Sequence, residues 1–366
     1  MELEVLQERL EKALNIANKI AGSKTLLPIL NNILLRTDKN NLIITSTNLE
    51  IASQEYLSAN IKKQGVITVP SKILTEFIAN LPEGKVKLVE KKNQLQISSG
   101  NYKSIIIGMA ADEFPELPTL DEKNAVDFEI AVDAFEEAIS SVVITASNDT
   151  TRPSITGVYF NSFKGQLFVA ATDGYRLSER RLLDKIKSDI KVIIPVAALQ
   201  EVLRSVSKET EKIKILIDDS QVKFQFDLVE ITSKLINGSF PDYRQLIPKD
   251  NDINLVLTKD EMMRVVKLAG LFAKESGGTI TIETNKSENK VSIRSIASEV
   301  GENSSDIVVE VDVDGKINLN SKFILDALNV VSEEKVQVGF SDKMKPVVIK
   351  NEISDDYIHI IMPIQS

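Results

Sequence analysis

The chain has 366 residues, of which 43% are hydrophobic and 27% are charged; because a single hydrophobic core seldom grows beyond roughly 250–300 residues, this length predicts two or three domains. Its 53 acidic side chains outnumber its 44 basic ones, for a net charge of −9, which disfavours a protein that holds nucleic acid or anionic lipid by bulk positive charge. There is no cysteine and one histidine, His359, so thiol catalysis, disulfide scaffolds and Cys/His zinc sites are excluded.

The N-terminal segment is rich in charge. Acidic and basic side chains occur throughout residues 2–12, a pattern that a signal peptide does not have. No run of 18 apolar residues occurs anywhere in the chain, so no membrane-spanning helix is expected. We therefore expect a cytoplasmic protein without a membrane partner.

The first predicted element is an amphipathic helix over residues 7–20, where Leu10, Leu14 and Ala17 share one face. Short alternating segments at 42–45 and 166–169 predict strands, and 85–89 followed by 94–97 predicts a hairpin. The helical pattern returns at residues 196–206. Strands and helices thus alternate along the chain.

The chain repeats itself at an offset of 125 residues. Residues 69–78, 194–203 and 319–328 share one pattern, in which an acidic residue recurs at Glu76, Glu201 and Asp326. A period this long indicates whole domains rather than a solenoid. We predict three domains, with boundaries at 1–122, 123–248 and 249–366. Each would hold two helices among about eight short strands, an α+β design with antiparallel sheet.

Residues that could carry chemistry are few. His359 alternates with apolar neighbours on a predicted strand, and we expect it on the solvent side because no nucleophile or carboxylate is spaced to orient it. The pairs Asp218–Asp219 and Asp355–Asp356 could hold a metal, but polar turns favour solvated residues there. No glycine-rich nucleotide motif occurs. A carbohydrate- or nucleotide-modifying enzyme made of tandem repeats stays an alternative.

Three short segments stand out beyond the repeat: Thr172–Leu177, Phe240–Arg244 and the terminal Met362–Pro363. Together with Leu26–Leu30 and Pro82–Gly84, they resemble the bacterial DNA polymerase III beta subunit family, the sliding clamps. The order and spacing of these segments are more specific than any one of them, and the resemblance covers essentially the whole chain.

This resemblance implies a DNA clamp fold of three tandem copies, joined head to tail with a second chain into a homodimeric ring with helices inside and sheets outside. Such a ring encircles double-stranded DNA without reading sequence and confers processivity on the replicative DNA polymerase. It implies no catalytic residue and no cofactor. Its partners would be the replicative polymerase subunit, the clamp loader and other DNA-processing proteins, which dock through short apolar peptides.

The resemblance also implies functional residues. A peptide pocket between the second and third domains would be lined by Arg152, Ile155, Thr172, Gly174, Tyr175, Arg176, Leu177, Pro241, Leu246, Asn320, Phe323, Met344, Pro346, Ile361, Met362, Pro363 and Ile364. DNA would be faced by Lys24 first, and then by Lys12 and Lys72. The dimer contact would use Ile106, Leu271 and Phe272, with ordinary core residues as the alternative for all three.

Two features qualify this expectation. The six predicted helical segments contain twelve basic and twelve acidic residues, so the excess acid lies elsewhere but the implied lining is neutral rather than basic. The tail ends in Gln365–Ser366, where relatives often end in a basic and an apolar residue, and Tyr175 replaces a histidine of some relatives. A peptide-binding scaffold unconnected to DNA is a third possibility.

Overall fold

The computed structural model describes residues 1–21, 27–117, 119–298, 301–341 and 345–365. Backbone contacts divide the chain into two compact units. Unit one comprises residues 1–133 and 197–235, and unit two comprises residues 134–196 and 236–366. The three predicted sequence copies are called here the first, second and third copy.

The first copy alternates strands with two helices. Its elements are β1 (Glu2–Leu6), α1 (Gln7–Ile20), β2 (Asn32–Asp38), β3 (Asn41–Thr47), β4 (Ile51–Ser58), β5 (Asn60–Lys63), β6 (Val66–Pro70), α2 (Ser71–Ala79), β7 (Lys85–Lys91), β8 (Gln94–Ser99) and β9 (Tyr102–Ile107).

Over their described residues, the other two copies follow the same order without a counterpart of β5. The second copy contains β10 (Val126–Ala131), α3 (Val132–Val143), β11 (Gly157–Phe163), β12 (Gln166–Thr172), β13 (Arg176–Leu183), β14 (Lys191–Pro195), α4 (Val196–Ser205), β15 (Lys212–Ile217), β16 (Gln221–Phe226) and β17 (Val229–Lys234). The third contains β18 (Ile253–Thr258), α5 (Lys259–Phe272), β19 (Thr279–Asn285), β20 (Lys290–Ala297), β21 (Gly301–Val308), β22 (Gly315–Asn320), α6 (Ser321–Val330), β23 (Lys335–Phe340), β24 (Val347–Asn351) and β25 (Tyr357–Ile361).

The strands form two antiparallel sheets in each unit. In unit one, a five-stranded sheet has the order β5-β1-β7-β8-β9, and an eight-stranded sheet has the order β10-β15-β16-β17-β4-β3-β2-β6. In unit two, the orders are β14-β11-β12-β13-β25-β24-β23-β18 and β21-β20-β19-β22. Each eight-stranded sheet thus joins strands of two successive copies, through β17 with β4 and through β13 with β25. This sharing explains why the boundary between the units falls inside the second copy.

The helices form where the periodicity predicts them. Helix α1 buries Leu10, Leu14 and Ala17, and α2 buries Leu74 and Ile78 against the same core of the first copy. Full burial of each large apolar side chain contributes about 1.5–3 kcal/mol. In the third copy, α5 and α6 bury their apolar faces in the same way. None of the helices that the structure describes is long and apolar enough to cross a membrane.

The prediction for His359 was wrong. The side chain is fully buried on β25, a central strand with β13 on one side and β24 on the other. Its Nδ1 lies 2.9 Å from the hydroxyl oxygen of Tyr357. Both faces of this strand are largely covered, so alternation along the sequence does not place any of its side chains in solvent.

Candidate binding pocket

A pocket of about 450 Å³ lies within unit two. It is bounded by the turn between β12 and β13, by the segment that follows β17, and by the C-terminal residues. Its lining is Arg152, Ser154, Ile155, Thr172, Gly174, Tyr175, Arg176, Leu177, Pro241, Tyr243, Leu246, Ile360 and Met362. Most of this surface is apolar, and few polar groups converge on it, as in sites that take apolar ligands.

The turn over residues 172–176 is held by its own side chains. The Thr172 hydroxyl donates to the Arg176 carbonyl oxygen at 2.7 Å and accepts from the Gly174 amide at 3.0 Å. The Asp173 carboxylate accepts from the amides of Tyr175 and Arg176. Gly174 has a φ of +92°, a conformation that favours glycine. These bonds project Tyr175 outward, with 66% of its surface exposed.

Arg176 fixes this turn to the third copy. Its guanidinium donates to Asp326 at 2.6 Å, to the Ile144 carbonyl oxygen at 2.7 Å and to Asp173 at 3.1 Å. It also lies 4.4 Å from the centre of the Phe323 ring, in cation–π contact. All three guanidinium nitrogens therefore donate a hydrogen bond, and these bonds connect the pocket wall to the third copy and to the end of α3.

An aromatic cluster supports the segment after β17. The ring of Phe240 stacks on Tyr159 at a centroid distance of 4.8 Å, and Tyr243 packs edge-on against both rings. The Tyr243 hydroxyl donates to the buried carboxylate of Glu179, which also pairs with Arg244 at 2.6 Å. Burial raises the pKa of Glu179, and the bonds from Tyr243 and Arg244 oppose that shift. The motif at residues 240–244 therefore holds Pro241, Tyr243 and Leu246 in the pocket wall.

The C-terminal residues close the pocket. The Met362 amide donates to the Tyr175 carbonyl oxygen at 2.9 Å, so the chain end extends the pairing of β25 with β13. Ile360 and Met362 face the pocket. Ile361, which we expected there, is instead fully buried in the core of the third copy because successive side chains of a strand point to opposite faces.

The structure brings ten of the predicted pocket residues together: Arg152, Ile155, Thr172, Gly174, Tyr175, Arg176, Leu177, Pro241, Leu246 and Met362. It also adds three that sequence reasoning missed: Ser154, Tyr243 and Ile360. Tyr243 could have been found, since it lies inside the quoted motif at 240–244. Met344 falls outside the described residues.

The other predicted pocket residues lie apart from the lining. Phe323 contacts Arg176 behind it, and Asn320 caps α6 by accepting from the Lys322 amide at 2.9 Å. Ile364 donates its amide to the Asn318 carbonyl oxygen. Pro346 and Pro363 are half-buried beyond the lining.

Among the residues predicted to face DNA, Lys24 lies outside the described residues. Lys12 on α1 and Lys72 on α2 are both exposed. Lys72 is 3.9 Å from Glu76, a pairing of exposed side chains that is worth little.

The residues predicted for a dimer contact differ in exposure. Leu271 is 60% exposed and Phe272 is half-buried. Ile106 is buried in the core of the first copy, as the alternative of an ordinary core residue predicts. Its neighbours Ile105 and Ile107 on β9 are 60% and 75% exposed instead, since they point to the opposite face of the strand.

The two aspartate pairs are turn residues. Asp218 accepts from the amides of Ser220, Gln221 and Asp121, and Asp356 pairs with Arg180 at 2.8 Å. Asp219 and Asp355 are exposed. Across the described parts of the chain, no group of three or more His, Asp or Glu side chains is placed to hold a metal ion.

Comparison with known domain families assigns almost the whole chain. Residues 1–118 match the N-terminal domain of the DNA polymerase III beta subunit. Residues 129–242 match its central domain, and residues 244–365 match its C-terminal domain. The three matches follow one another in the order of that family.

Whole-chain relatives agree. The beta sliding clamp of Staphylococcus aureus strain Mu50 is 29% identical over 379 residues, with 100% of both chains covered. A crystal structure of the DNA polymerase sliding clamp from Bacillus subtilis has a TM-score of 0.94 at 26% identity, covering 100% of this chain and 99% of that one. The Thermotoga maritima DNA polymerase III beta subunit has a TM-score of 0.91 at 25% identity, with the same coverage. The chain therefore belongs to the family of bacterial DNA polymerase III beta subunits, the sliding clamps.

Proposed function

We propose that two copies of this chain close head to tail into a ring that encircles duplex DNA, with the helices inside and the sheets outside, and so keeps the replicative polymerase on its template. As a DNA polymerase III beta subunit, the chain is a non-catalytic processivity factor. Its place of action would be the cytoplasm, where the chromosome is copied.

The observation that carries the proposal is the apolar pocket of unit two. We propose that it docks a short, mostly apolar peptide with a glutamine near its start and leucine or phenylalanine near its end. Tyr175 and Met362 are both substantially exposed beside it and offer an aromatic and a polarizable surface for such anchors. The replicative polymerase subunit, the clamp loader and other DNA-processing proteins would present these peptides in turn.

Two unpaired sheet edges support ring closure. Strand β9 is the last strand of the five-stranded sheet, and β21 is the last strand of the four-stranded sheet. Both carry exposed apolar side chains, Ile105 and Ile107 on β9 and Val308 on β21. We propose that β9 of one chain pairs with β21 of the second chain, and that Leu271 packs against this interface. A head-to-tail contact of this kind must close or propagate as a filament.

DNA binding would be topological. The helical segments carry balanced charge, and strong phosphate contacts would slow sliding. Lys12, Lys72 and Lys24 would give weak, sequence-independent contacts. A peptide-binding scaffold unconnected to DNA would share the pocket but not the ring.

The test uses DNA topology. The protein is loaded by an ATP-dependent clamp loader onto nicked circular DNA, and the retained protein is measured by gel filtration before and after linearisation. We expect retention on the circle and loss after cutting. Equal retention on both forms would refute encirclement. A variant with Ile107→Asp and Leu271→Asp is expected to run at the mass of a single 40.6 kDa chain and to lose retention on the circle.

A further inference from the structure

We infer that unit one carries a second docking pocket, which takes a linear peptide of a partner protein with a tyrosine next to an acidic residue. The cavity has a volume of about 650 Å³ and lies between one face of the eight-stranded sheet and the described residues 114–117 and 119–122, which cross that face. All of its lining residues belong to unit one.

The cavity of unit one and the apolar pocket of unit two lie at partly corresponding positions of their eight-stranded sheets. In unit one, Ala52 of β4 pairs with Thr232 of β17. The corresponding pair in unit two is Leu177 of β13 with Ile360 of β25. The crossing segments also correspond, since both begin with Phe-Pro, at Phe114 and Phe240. By this register Pro115, Leu117 and Leu120 are the counterparts of Pro241, Tyr243 and Leu246.

In unit two, side chains of the crossing segment occupy part of the corresponding space above the sheet. There Tyr243 reaches the sheet and its hydroxyl bonds to Glu179, while Arg244 completes the pair. In unit one the sheet position of Glu179 is held by Gln54, and the position of Tyr243 is held by Leu117. A leucine has no hydroxyl to offer, and the Gln54 side chain makes no hydrogen bond with any described residue. Unit one therefore has no counterpart of the Tyr243 ring and hydroxyl at this position, which Leu117 holds.

The chemistry of the cavity defines what would replace them. Leu34, Phe114 and Leu120 give an apolar wall for an aromatic ring. The sheet side presents Thr45, Gln54 and Thr232, which can bond to a phenol hydroxyl and to a peptide backbone. In unit two, the positions of Thr45 and Thr232 are held by Ala170 and Ile360, which are apolar and buried.

Arg36 favours a ligand with a negatively charged group. Its exposed side chain lines the cavity and forms no salt bridge with any residue that the structure describes. The other cation, Lys223, is already paired with Glu122 of the crossing segment at 3.1 Å. Glu116 also lines the cavity, so a carboxylate beside the tyrosine would have to lie on the Arg36 side, where it would meet an available guanidinium.

The segment that forms the roof is fixed at both ends. Phe114 is buried with Ile29 and Leu30 at one end. The Asp121 amide donates to the Asp218 carboxylate at 3.0 Å at the other. The roof is therefore held across the sheet, and the cavity beneath it does not depend on a ligand to form.

The absence of tryptophan from the chain allows a clean test. Thr119→Trp places a single reporter at the exposed roof, and Tyr175→Trp, in a separate protein, reports on the pocket of unit two. Each is titrated with N-acetyl-Asp-Tyr-amide and with N-acetyl-Asn-Ala-amide, and the fluorescence is followed. In the Thr119→Trp protein we expect a saturable change with the first peptide and at least tenfold weaker binding of the second.

Two variants decide the site. Gln54→Glu with Leu117→Tyr introduces counterparts of Glu179 and Tyr243, though not of Arg244, and is expected to fill the hollow and weaken binding at least tenfold. Arg36→Gln is expected to weaken it about threefold to tenfold, the range of one lost charge-assisted bond. If the double variant fails to fold, Ala52→Leu, which copies Leu177, narrows the same hollow. Failure to saturate, equal affinity for both peptides, or unchanged binding in the filled variants would overturn the inference.

Discussion

The Nη1 atom of Arg176 lies 2.6 Å from the Oδ2 atom of Asp326, although 150 residues separate the two in the chain. This pair ties the turn of the second copy, which carries Tyr175, to helix α6 of the third copy. Arg176 is buried, so its charge needs the partners that surround it. The shape of the pocket wall therefore depends on a carboxylate that does not line the pocket.

Asp326→Asn should weaken peptide binding about threefold to tenfold, because a charge-assisted bond to a buried guanidinium is worth roughly 1.5–3 kcal/mol and Asp173 and Ile144 retain part of it. Anisotropy of a labelled peptide with an N-terminal glutamine and a C-terminal Leu-Phe measures this. Glu76→Gln is the matched control, since Glu76 holds the same repeat position but is exposed. Equal affinities of the two variants would show that Arg176 is held without Asp326.

Met362→Ala with Pro363→Ala should reduce peptide affinity at least tenfold, because Met362 lines the pocket beside Tyr175 and its truncation removes apolar surface worth about 1.5–3 kcal/mol. The dimer should persist, since neither residue lies on β9, β21 or α5. Peptide anisotropy and light scattering on the same sample test both halves. Unchanged affinity would contradict the assignment of the pocket, and a monomer would contradict the separation of the two surfaces.

Much of the fold could be predicted because local periodicity and tertiary burial agree. Helix α1 covers the predicted residues 7–20, and α4 covers Val196–Ser205 of the predicted 196–206. Each helix lies on a sheet and buries one face, so the 3.6-residue pattern in the sequence directly reflects the contact. The repeat then extends the same assignment to all three copies.

Side-chain direction on β9 and β25 could not be predicted in the same way. Strand β25 is central in an eight-stranded sheet because β13 of the previous copy pairs with it, and no local pattern shows that partner. His359 and Ile361 are therefore buried where alternation or resemblance suggested otherwise. The pocket itself joins three segments that lie far apart in sequence, so its residues came from the family resemblance rather than from spacing.

Glu55 should make the protein less stable as pH rises. It is buried on β4, and neither carboxylate oxygen has a hydrogen-bond partner among the described residues. At the repeat position in β13, Arg180 is paired with Glu137 and Asp356, whereas no lysine or arginine among the described residues forms a salt bridge with Glu55. Burial is the main cause that raises the pKa of Glu55 to about 8; Ser53 and the Glu55 backbone partly oppose the shift, and the charge of Glu201 adds a small part of it.

The sign follows from proton binding. Between about pH 4.5 and 8 the folded state keeps the Glu55 proton and the unfolded state releases it, so the free energy of unfolding falls across that window. Glu55→Gln should match the wild type near pH 5 and exceed it at pH 7 by on the order of 3 kcal/mol. Urea unfolding at several pH values measures this, with the exposed Glu50→Gln as control. Parallel pH profiles for wild type and Glu55→Gln would disprove it.

His359 should make the protein less stable as the pH falls, whereas Glu55 makes it less stable as the pH rises. Its ring is fully buried, Nδ1 lies 2.9 Å from the Tyr357 hydroxyl, and Nε2 has no partner among the described residues. Burial first, and then the charge of Arg176, lower the pKa of His359 to about 3. The folded state therefore holds the ring neutral.

Between about pH 6.5 and 3, His359 binds a proton in the unfolded state but stays neutral in the folded state. The free energy of unfolding therefore falls as the pH falls through this range. His359→Asn keeps a polar atom near Nδ1 but cannot titrate. It should cost stability at pH 7 and lose less than the wild type on going to pH 4.5, by about 1.4 kcal/mol per pH unit at most. Tyr357→Phe is the control, because it removes the hydroxyl and leaves the titrating ring, and its pH slope should follow the wild type. If His359→Asn follows the wild-type slope as well, the acid sensitivity lies in the carboxylates and not in this buried ring.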